Sequence, residues 1–247
     1  MATELSPLAN EVTEYLLTQV PDGLLGKVAA QMLFKCRQCG QCCHDESYVY
    51  VTTDDCAQMA NLMGSCASDV IRVHTLPDPE GRPNGRILHS TRIGSENYCK
   101  FYDINTKCCM IYEARPLVCQ LYPMLSYSKE QDINFFTNCK GTADLVEFLL
   151  SMAAKPEFQR SMEKNRADPS AVLTAKVMLF IQQHVIIGRA KKAKQIANLF
   201  SLKLPFDEKE LQSVCLFAIM SMVDAKELEK YEYKGEENYG CREGRRT

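Results

Sequence analysis

The sequence has no apolar run long enough to cross a bilayer. Its longest apolar stretches, at residues 177–181 and 216–223, fall well short of the about 20 residues that a membrane-spanning helix needs. The first twelve residues contain neither the basic segment nor the apolar segment of a signal peptide. The sequence therefore predicts a soluble, cytoplasmic protein.

A large net charge is also absent. The chain has 29 Lys and Arg residues against 31 Asp and Glu residues, which gives a formal net charge of −2. Such a balance provides no overall positive field to hold nucleic acid or an anionic membrane. The local basic run Arg189, Lys191, Lys192 and Lys194 is interpreted as a solvated helix face. We therefore expect neither nucleic acid nor a membrane as a partner, and a protein partner stays open.

Signatures of common enzyme classes are missing as well. A domain that binds S-adenosylmethionine is expected to have a G-x-G-x-G loop after a strand. No such loop follows a predicted strand in this sequence. The pair Asp54-Asp55 is interpreted as the start of a helix rather than as catalytic carboxylates. No cysteine is singled out as a nucleophile. The sequence alone thus leaves open whether the protein is an enzyme.

Cysteine, in contrast, is abundant, with 13 residues in a chain of 247. In a reducing compartment such cysteines more often bind metal or carry redox chemistry than form structural disulfides. The odd number agrees with this interpretation. We therefore expect metal ligands and free thiols rather than disulfide bonds.

Four of the cysteines follow one another in the stretch F-K-C-R-Q-C-G-Q-C-C-H, as Cys36, Cys39, Cys42 and Cys43. A C-x-x-C step lets two thiolates point at one metal centre while backbone N–H groups point at the sulfurs. Gly40 keeps this tight loop free of Cβ clashes. Because adjacent side chains diverge, Cys42 and Cys43 either face different centres or only one of them is a ligand.

A second group of cysteines follows downstream, namely Cys99, Cys108, Cys109, Cys119 and Cys139. A tetrahedral site takes four thiolates, so eight ligating cysteines require two sites or one cluster with bridging sulfur. Basic residues near the cysteines can offset the negative charge of a thiolate-bound centre and donate hydrogen bonds to sulfur. These basic residues are Lys35, Arg37, Lys100, Lys107, Arg115 and Lys140.

The ordered motifs C-x-x-C-x-x-C-C, C-K-F-Y-D, C-M-I-Y-E-A-R-P-L-V-C-Q-L-Y-P and N-C-K-G resemble the zinc- or iron-chelating cysteine-cluster family, called the CxxCxxCC domain. The resemblance covers about residues 34–141 and implies metal binding by eight cysteines. These are Cys36, Cys39, Cys42, Cys43, Cys99, Cys109, Cys119 and Cys139. Cys108 is an extra neighbour, and either it or Cys109 fits the family position.

Two further points follow from the resemblance. In many relatives an arginine follows the cysteine of the C-x-L-Y-P turn, where this chain has Gln120. If that arginine offsets charge, another residue must do so here. The family is also similar to a domain of flagellin lysine methylases, which implies that some members work with enzymes. Residues 142–247 lie outside the resemblance, and no function is carried over to them.

The pattern of the chain predicts an α-rich (α+β) fold, in which a small irregular β or hairpin region with the metal site packs among helices. Apolar residues recur at helical spacing over 5–33 and from 142 to about 231, with breaks at prolines. The predicted regions are N-terminal helices at 1–33, a cysteine-cluster metal-binding domain at 34–141, a helical C-terminal half at 142–231 and a flexible tail at 232–247.

Within the cysteine region, short sequence patterns predict individual helices and strands. Thr53 or Asp54 is predicted to cap a helix that ends before Gly64. Residues 86–93 are predicted as an edge strand. The turn-prone D-I-N-T between two β-like arms, 99–102 and 108–112, predicts a hairpin.

Other histidines and cysteines are predicted to have structural roles. His44 is expected to support the site or to lie on the surface without ligating metal, His74 and His89 to be solvated, and His184 to be a core or boundary histidine. Cys56, Cys66 and Cys215 are expected to be small buried hydrophobes, and Cys241 a free thiol.

Three hypotheses on function follow. An iron–sulfur cluster with a structural or redox role is favoured, because serial C-x-x-C steps with a remote cysteine suit a cubane cluster. A zinc-binding structural or interaction module is the alternative, since paired cysteine knuckles suit zinc. A component of a protein-modifying enzyme, such as a lysine methylase, ranks last because it rests on analogy alone.

Overall fold

The computed structural model of the protein describes residues 6–44, 48–125, 133, 135, 137–223 and 225–231. In these residues the helices dominate and the strands are short, which confirms the predicted α-rich fold with small β elements. The helices are α1 (Pro7–Thr18), α2 (Asp22–Leu33), α3 (Thr53–Met63), α4 (Ala67–His74), α5 (Leu117–Leu121), α6 (Lys140–Ala153), α7 (Pro156–Arg166), α8 (Pro169–Ile186), α9 (Ala190–Leu199), α10 (Glu208–Met220) and α11 (Ala225–Leu228). The strands are β1 (Tyr50–Val51), β2 (Thr75–Pro77), β3 (Arg86–Leu88), β4 (Ser90–Ile93), β5 (Glu96–Cys99), β6 (Tyr102–Asp103) and β7 (Cys108–Cys109). The predicted tail and Cys241 lie outside the described residues.

The chain divides into two units by its internal contacts. The helical unit contains α1, α2 and, from Thr142 onward, α6 to α11. The cysteine unit contains the described residues of 36–125 and 137–141, and therefore α3 to α5 and the strands β1 to β7.

In the helical unit, prolines and capping residues place the helix starts where the sequence predicted them. The Asp168 carboxylate accepts a hydrogen bond from the backbone N–H of Ser170 before α8. Asp207 caps α10 in the same way, and Pro156 opens α7. Side-chain oxygens of this kind satisfy N–H groups that have no partner inside the helix.

The core of the helical unit lies among α2, α8 and α10, which pack against one another. Val28, Ile181 and Ile219 on these helices are completely buried. His184 is buried too, with its Nδ1 3.0 Å from the Phe180 carbonyl oxygen, which confirms the predicted core histidine. The basic run on and before α9 is exposed, as predicted. None of the described helices meets the length and hydropathy that a bilayer crossing demands.

The cysteine unit contains a three-stranded antiparallel sheet in the order β1, β3, β2. The prediction of one edge strand over 86–93 was wrong. The segment forms two strands, of which β3 is the central strand of this sheet and β4 pairs with β5. Burial explains the division, because Ile87 and Leu88 face the core whereas all four residues of β4 are exposed.

Helix α3 begins one residue earlier than predicted. Thr52, rather than Thr53 or Asp54, is the capping residue, and it forms a reciprocal capping box with Asp55. Gly64, with a φ of 63°, ends the helix as predicted. The acidic residue three positions after Thr52 is the local signal that identifies the cap.

The predicted hairpin is present but has shorter arms. Strands β6 and β7 pair across the turn 104–107, with Tyr102 opposite Cys109. Cys99 belongs instead to β5, and Tyr112 begins a short 3-10 turn that ends at Ala114. The hairpin therefore carries Cys109 but not Cys99.

Candidate metal centre

The first cysteine motif folds as a series of tight reversals. Gln38 and Gly40 both have left-handed backbone conformations, with φ of 51° and 77°. A short 3-10 helix, Gln41–Cys43, follows, closed by a hydrogen bond of 2.8 Å from the Cys43 N–H to the Gly40 carbonyl oxygen. The Gln38 N–H lies 3.4 Å from the Cys36 sulfur, the approach of amide to sulfur that a C-x-x-C step predicts.

Three separate elements present the downstream cysteines. Cys99 ends β5, Cys109 ends β7 and Cys119 lies within α5. The start of α5 is fixed by Asp55, whose Oδ1 accepts a hydrogen bond of 2.8 Å from the Leu117 N–H. The position of Cys119 therefore depends on a residue of α3.

Five of the predicted ligands interact with one another through hydrogen bonds or the charges of their thiols and are called here the five-thiol group: Cys42, Cys43, Cys99, Cys109 and Cys119. The Cys43 thiol hydrogen-bonds to those of Cys109 and Cys42, which raises the pKa of Cys43 and lowers that of Cys109. Each of the four segments that carry predicted ligands up to α5 thus contributes at least one sulfur.

Burial and mutual repulsion act on the same group. Burial raises the pKa of Cys99 to about 11, and the neighbouring Cys109 and Cys42 add to the rise. Burial, reinforced by Cys42, Cys99 and Cys109, also raises the pKa of Cys119 well above its ordinary value. A positive charge that replaces their protons therefore favours the ionisation of Cys99 and Cys119.

In the residues that the structure describes, no three Cys, His, Asp or Glu side chains are already arranged as the ligands of one ion. Within the five-thiol group, the Cys43 thiol is hydrogen-bonded to those of Cys42 and Cys109 instead. Thiolates bind metal only after losing those protons, and a bound metal then draws the sulfurs together. The structure thus brings the donors into proximity without showing a coordination geometry.

The remaining predicted ligands are placed differently. Cys36 is exposed, and its thiol is hydrogen-bonded to the Tyr112 hydroxyl. Cys39 and Cys139 are buried, at 9% and 7% exposure. The thiol contacts described above do not include these two residues.

Cys108 differs from the expectation of free thiols, because it is disulfide-bonded. It adjoins Cys109 on strand β7, and successive side chains of a strand point to opposite faces. The free thiol of Cys109 therefore joins the five-thiol group, whereas Cys108 does not. Of the two alternatives that the sequence left open, this arrangement favours Cys109.

Arg115 is a basic residue that acts on the five-thiol group. Its guanidinium contributes to the lowered pKa of Cys109 and opposes the rise at Cys119. The sequence indicated that, if the arginine of the relatives offsets the negative charge of the centre, a residue at a position other than 120 must do so in this chain. Gln120 contributes indirectly, since its Nε2 donates a hydrogen bond of 2.8 Å to the Arg115 carbonyl oxygen.

The other candidate residues have structural roles, with two corrections. His44 is buried with its Nε2 3.0 Å from a Glu96 carboxylate oxygen. His74, predicted to be solvated, is half-buried against Phe101. Cys56 and Cys215 are buried as predicted, but Cys66 is exposed. The reason is its capping position before α4, where its thiol hydrogen-bonds to Ser68 and Asp69.

The sequence did not indicate the role of Asp55 in holding two elements together. Its side chain is 4% exposed, with Oδ2 accepting from the Thr52 N–H at 2.8 Å and Oδ1 accepting from Leu117. The capping-box pattern was the signal that could have found the first contact. The contact with Leu117 has no local signal, because the partner lies 62 residues later in the chain.

Comparison with known proteins confirms the predicted resemblance. Residues 35–140 match the CxxCxxCC family model, described as "Putative zinc- or iron-chelating domain". An uncharacterized protein of Methanocaldococcus jannaschii is 30% identical over 114 residues, which cover 44% of this chain and 57% of the relative. The chain thus spans little more than half of that relative's length. No solved structure matches. The matched family is one of zinc or iron chelation, and it does not distinguish between the two metals.

Proposed function

We propose that the cysteine unit holds an iron–sulfur cluster with a structural or redox role. Such a cluster is bound through cysteine thiolates and can accept and release single electrons. The observation that carries the proposal is the five-thiol group, which draws sulfurs from the first motif, β5, β7 and α5. Five interacting thiols are more than the four that a single tetrahedral zinc ion uses.

The surroundings of the thiols fit a thiolate-bound centre. Cys99 and Cys109 pack against the buried core of the unit, next to residues such as Phe101 and Ile111. Such an apolar wall excludes water on one side of the site. In the part of the chain that the structure describes, the buried Nε–H of Arg115 has no hydrogen-bond acceptor. An unsatisfied donor beside thiols is suited to an anionic sulfur.

A zinc-binding structural module is the second candidate, favoured by one observation. The Gln38 N–H approaches the Cys36 sulfur at 3.4 Å inside the first C-x-x-C step. Zinc knuckles use the same arrangement, in which backbone amides support thiolate ligands. This candidate needs only four of the eight predicted cysteines.

The compartment and the partner of the protein are part of the same proposal. None of the eight predicted ligands is disulfide-bonded, as is usual in a reducing compartment such as the cytoplasm. With a net charge of −2, a protein partner suits the molecule better than nucleic acid. All eight predicted cysteines are proposed as ligands, with the five-thiol group as the first to be tested.

Metal analysis of protein purified without oxygen tests the proposal. We expect iron with acid-labile sulfide and a broad visible absorption band. Cys109→Ser should bind the metal at least about 10-fold more weakly, because even changes outside the ligand shell often cost that much. Cys66→Ser is the matched control, since Cys66 is an exposed thiol of the same unit outside the five-thiol group.

The alternatives give different results. Stoichiometric zinc without a visible band would identify the zinc module, and Cys109→Ser should still weaken binding. Protein that takes up neither metal would contradict both candidates. Equal metal retention in Cys109→Ser and Cys66→Ser would remove the five-thiol group as the site.

A further inference from the structure

Arg115 is fixed in place through both its side chain and its backbone. Its guanidinium carbon lies 4.0 Å from the centre of the Tyr112 ring, a stacking contact between a cation and an aromatic face. Its carbonyl oxygen accepts the hydrogen bond from Gln120 at 2.8 Å. Pro116 follows directly and restricts the backbone of Arg115 to an extended conformation, with ψ of 143°. The guanidinium is therefore held rather than free to follow solvent.

The positive charge of Arg115 acts on cysteine sulfurs of the five-thiol group. Its charge is felt at Cys109 and at Cys119, which lie on β7 and α5. The Tyr112 ring on which it stacks is itself hydrogen-bonded to the Cys36 thiol. Arg115 and Tyr112 together thus contact or influence cysteines from the first motif and from two downstream segments.

The Nε–H of Arg115 is the part of this arrangement that packing does not explain. It is buried, and no residue that the structure describes accepts a hydrogen bond from it. Buried donors are nearly always paired, since an unpaired one destabilises the fold. A thiol is a weak acceptor, whereas a thiolate is a strong one, so ionised sulfur would satisfy this donor.

We propose that Arg115 is a positioning residue of the metal site, which donates a hydrogen bond from Nε to a metal-bound thiolate and offsets the negative charge of the centre. The inference rests on the proposed function and goes beyond it, because it assigns a role to a residue that is not a ligand. It holds for iron or zinc, since both are bound through thiolates.

Replacement of Arg115 is expected to change metal retention without changing the stability of the metal-free protein. In Arg115→Gln, transfer of the metal to a chelator should be about 10-fold faster or more, the usual cost of losing a partner of a metal ligand. The thermal midpoint of the metal-free protein should change little, because the lost Tyr112 stacking is offset by removal of an unpaired buried donor. Chelator transfer followed by absorbance and thermal unfolding of the metal-free protein measure the two effects.

Arg115→Lys separates charge from geometry. Lysine keeps the positive charge but lacks the Nε donor in its planar fork. We expect it to restore retention only in part. In a cluster-containing protein, Arg115→Gln should also make the reduction potential more negative, because the reduced centre carries more negative charge. Arg92→Gln is the control, since Arg92 is an exposed arginine of β4 in the same unit.

The possible results of these measurements distinguish the proposed function from the role of Arg115. Wild-type protein that takes up no metal contradicts the proposed function itself. Metal-bound wild type with equally slow transfer from Arg115→Gln contradicts the role of Arg115 alone. A parallel fall in metal-free stability and metal retention would show that Arg115 is only structural. Full rescue by Arg115→Lys would contradict the hydrogen bond from Nε and show that Arg115 acts through its positive charge only.

Discussion

Replacement of Asp55 by alanine is expected to lower the free energy of unfolding of the cysteine unit by about 3 kcal/mol, the sum of a lost cap and unpaired buried donors. Oδ2 accepts hydrogen bonds from the N–H and the hydroxyl of Thr52, at 2.8 and 2.7 Å. Oδ1 accepts the Leu117 N–H at 2.8 Å. Alanine leaves all three donors without this partner. Since the chain has no tryptophan, denaturation followed by tyrosine fluorescence is a suitable measurement.

Two variants control for this effect. Asp54 is the exposed neighbour of Asp55 in the same first turn of α3, so Asp54→Ala changes a charge without breaking the buried contacts. We expect less than about 0.5 kcal/mol from it, as for most surface changes. Asp55→Asn keeps one acceptor oxygen and should fall between the two. Equal stability of Asp54→Ala and Asp55→Ala would show that the buried carboxylate does not hold the unit together.

The consequence for the metal site follows from the Leu117 contact. Without it the start of α5 is no longer fixed to α3, and Cys119 loses its defined position. Asp55→Ala should therefore reduce stability and metal retention together. Arg115→Gln, in contrast, should reduce retention alone. The pair of variants distinguishes a residue that builds the fold from one that acts on the bound metal.

Local chemistry made much of the fold predictable. Prolines end helices for steric reasons that need no knowledge of distant residues, and the break before Pro169 appears where the sequence indicated it. The caps at Asp168 and Asp207 are also local. The cysteine spacing predicted a metal-binding region by the same kind of reasoning, since a C-x-x-C step is decided by neighbouring residues.

Contacts between distant segments were not predictable in this way. Cys56 and Cys66 both precede or occupy helical segments among small residues, yet one is buried and the other exposed. The packing of α3 against the core buries Cys56, whereas Cys66 is the capping residue before α4. The approach of Cys99 to Cys42 likewise depends on how β5 pairs with β4. A single sequence shows periodicity and caps, but it does not show which surfaces meet.

Gly40→Ala is expected to be the most disruptive change in the first cysteine motif. Gly40 has φ of 77°, a conformation that costs a residue with a Cβ about 1 kcal/mol or more. A Cβ there would also lie 2.6 Å from the Tyr102 ring and 2.9 Å from the Lys107 carbonyl oxygen. Both contacts belong to the hairpin that carries Cys109, so the hairpin or the motif must shift. We expect a total loss of about 3 kcal/mol and impaired metal retention.

Gly64→Ala separates backbone strain from the steric clash. Gly64 has a similar left-handed φ of 63°, but a Cβ there would meet no atom within 4 Å. It should therefore cost only the backbone term, about 1 kcal/mol, and metal retention should be unchanged. Denaturation and chelator transfer on both variants give the comparison. If Gly40→Ala behaved like Gly64→Ala in both measurements, the motif would tolerate a side chain against the hairpin. The contact between Cys43 and Cys109 would then not depend on the absence of a side chain at position 40.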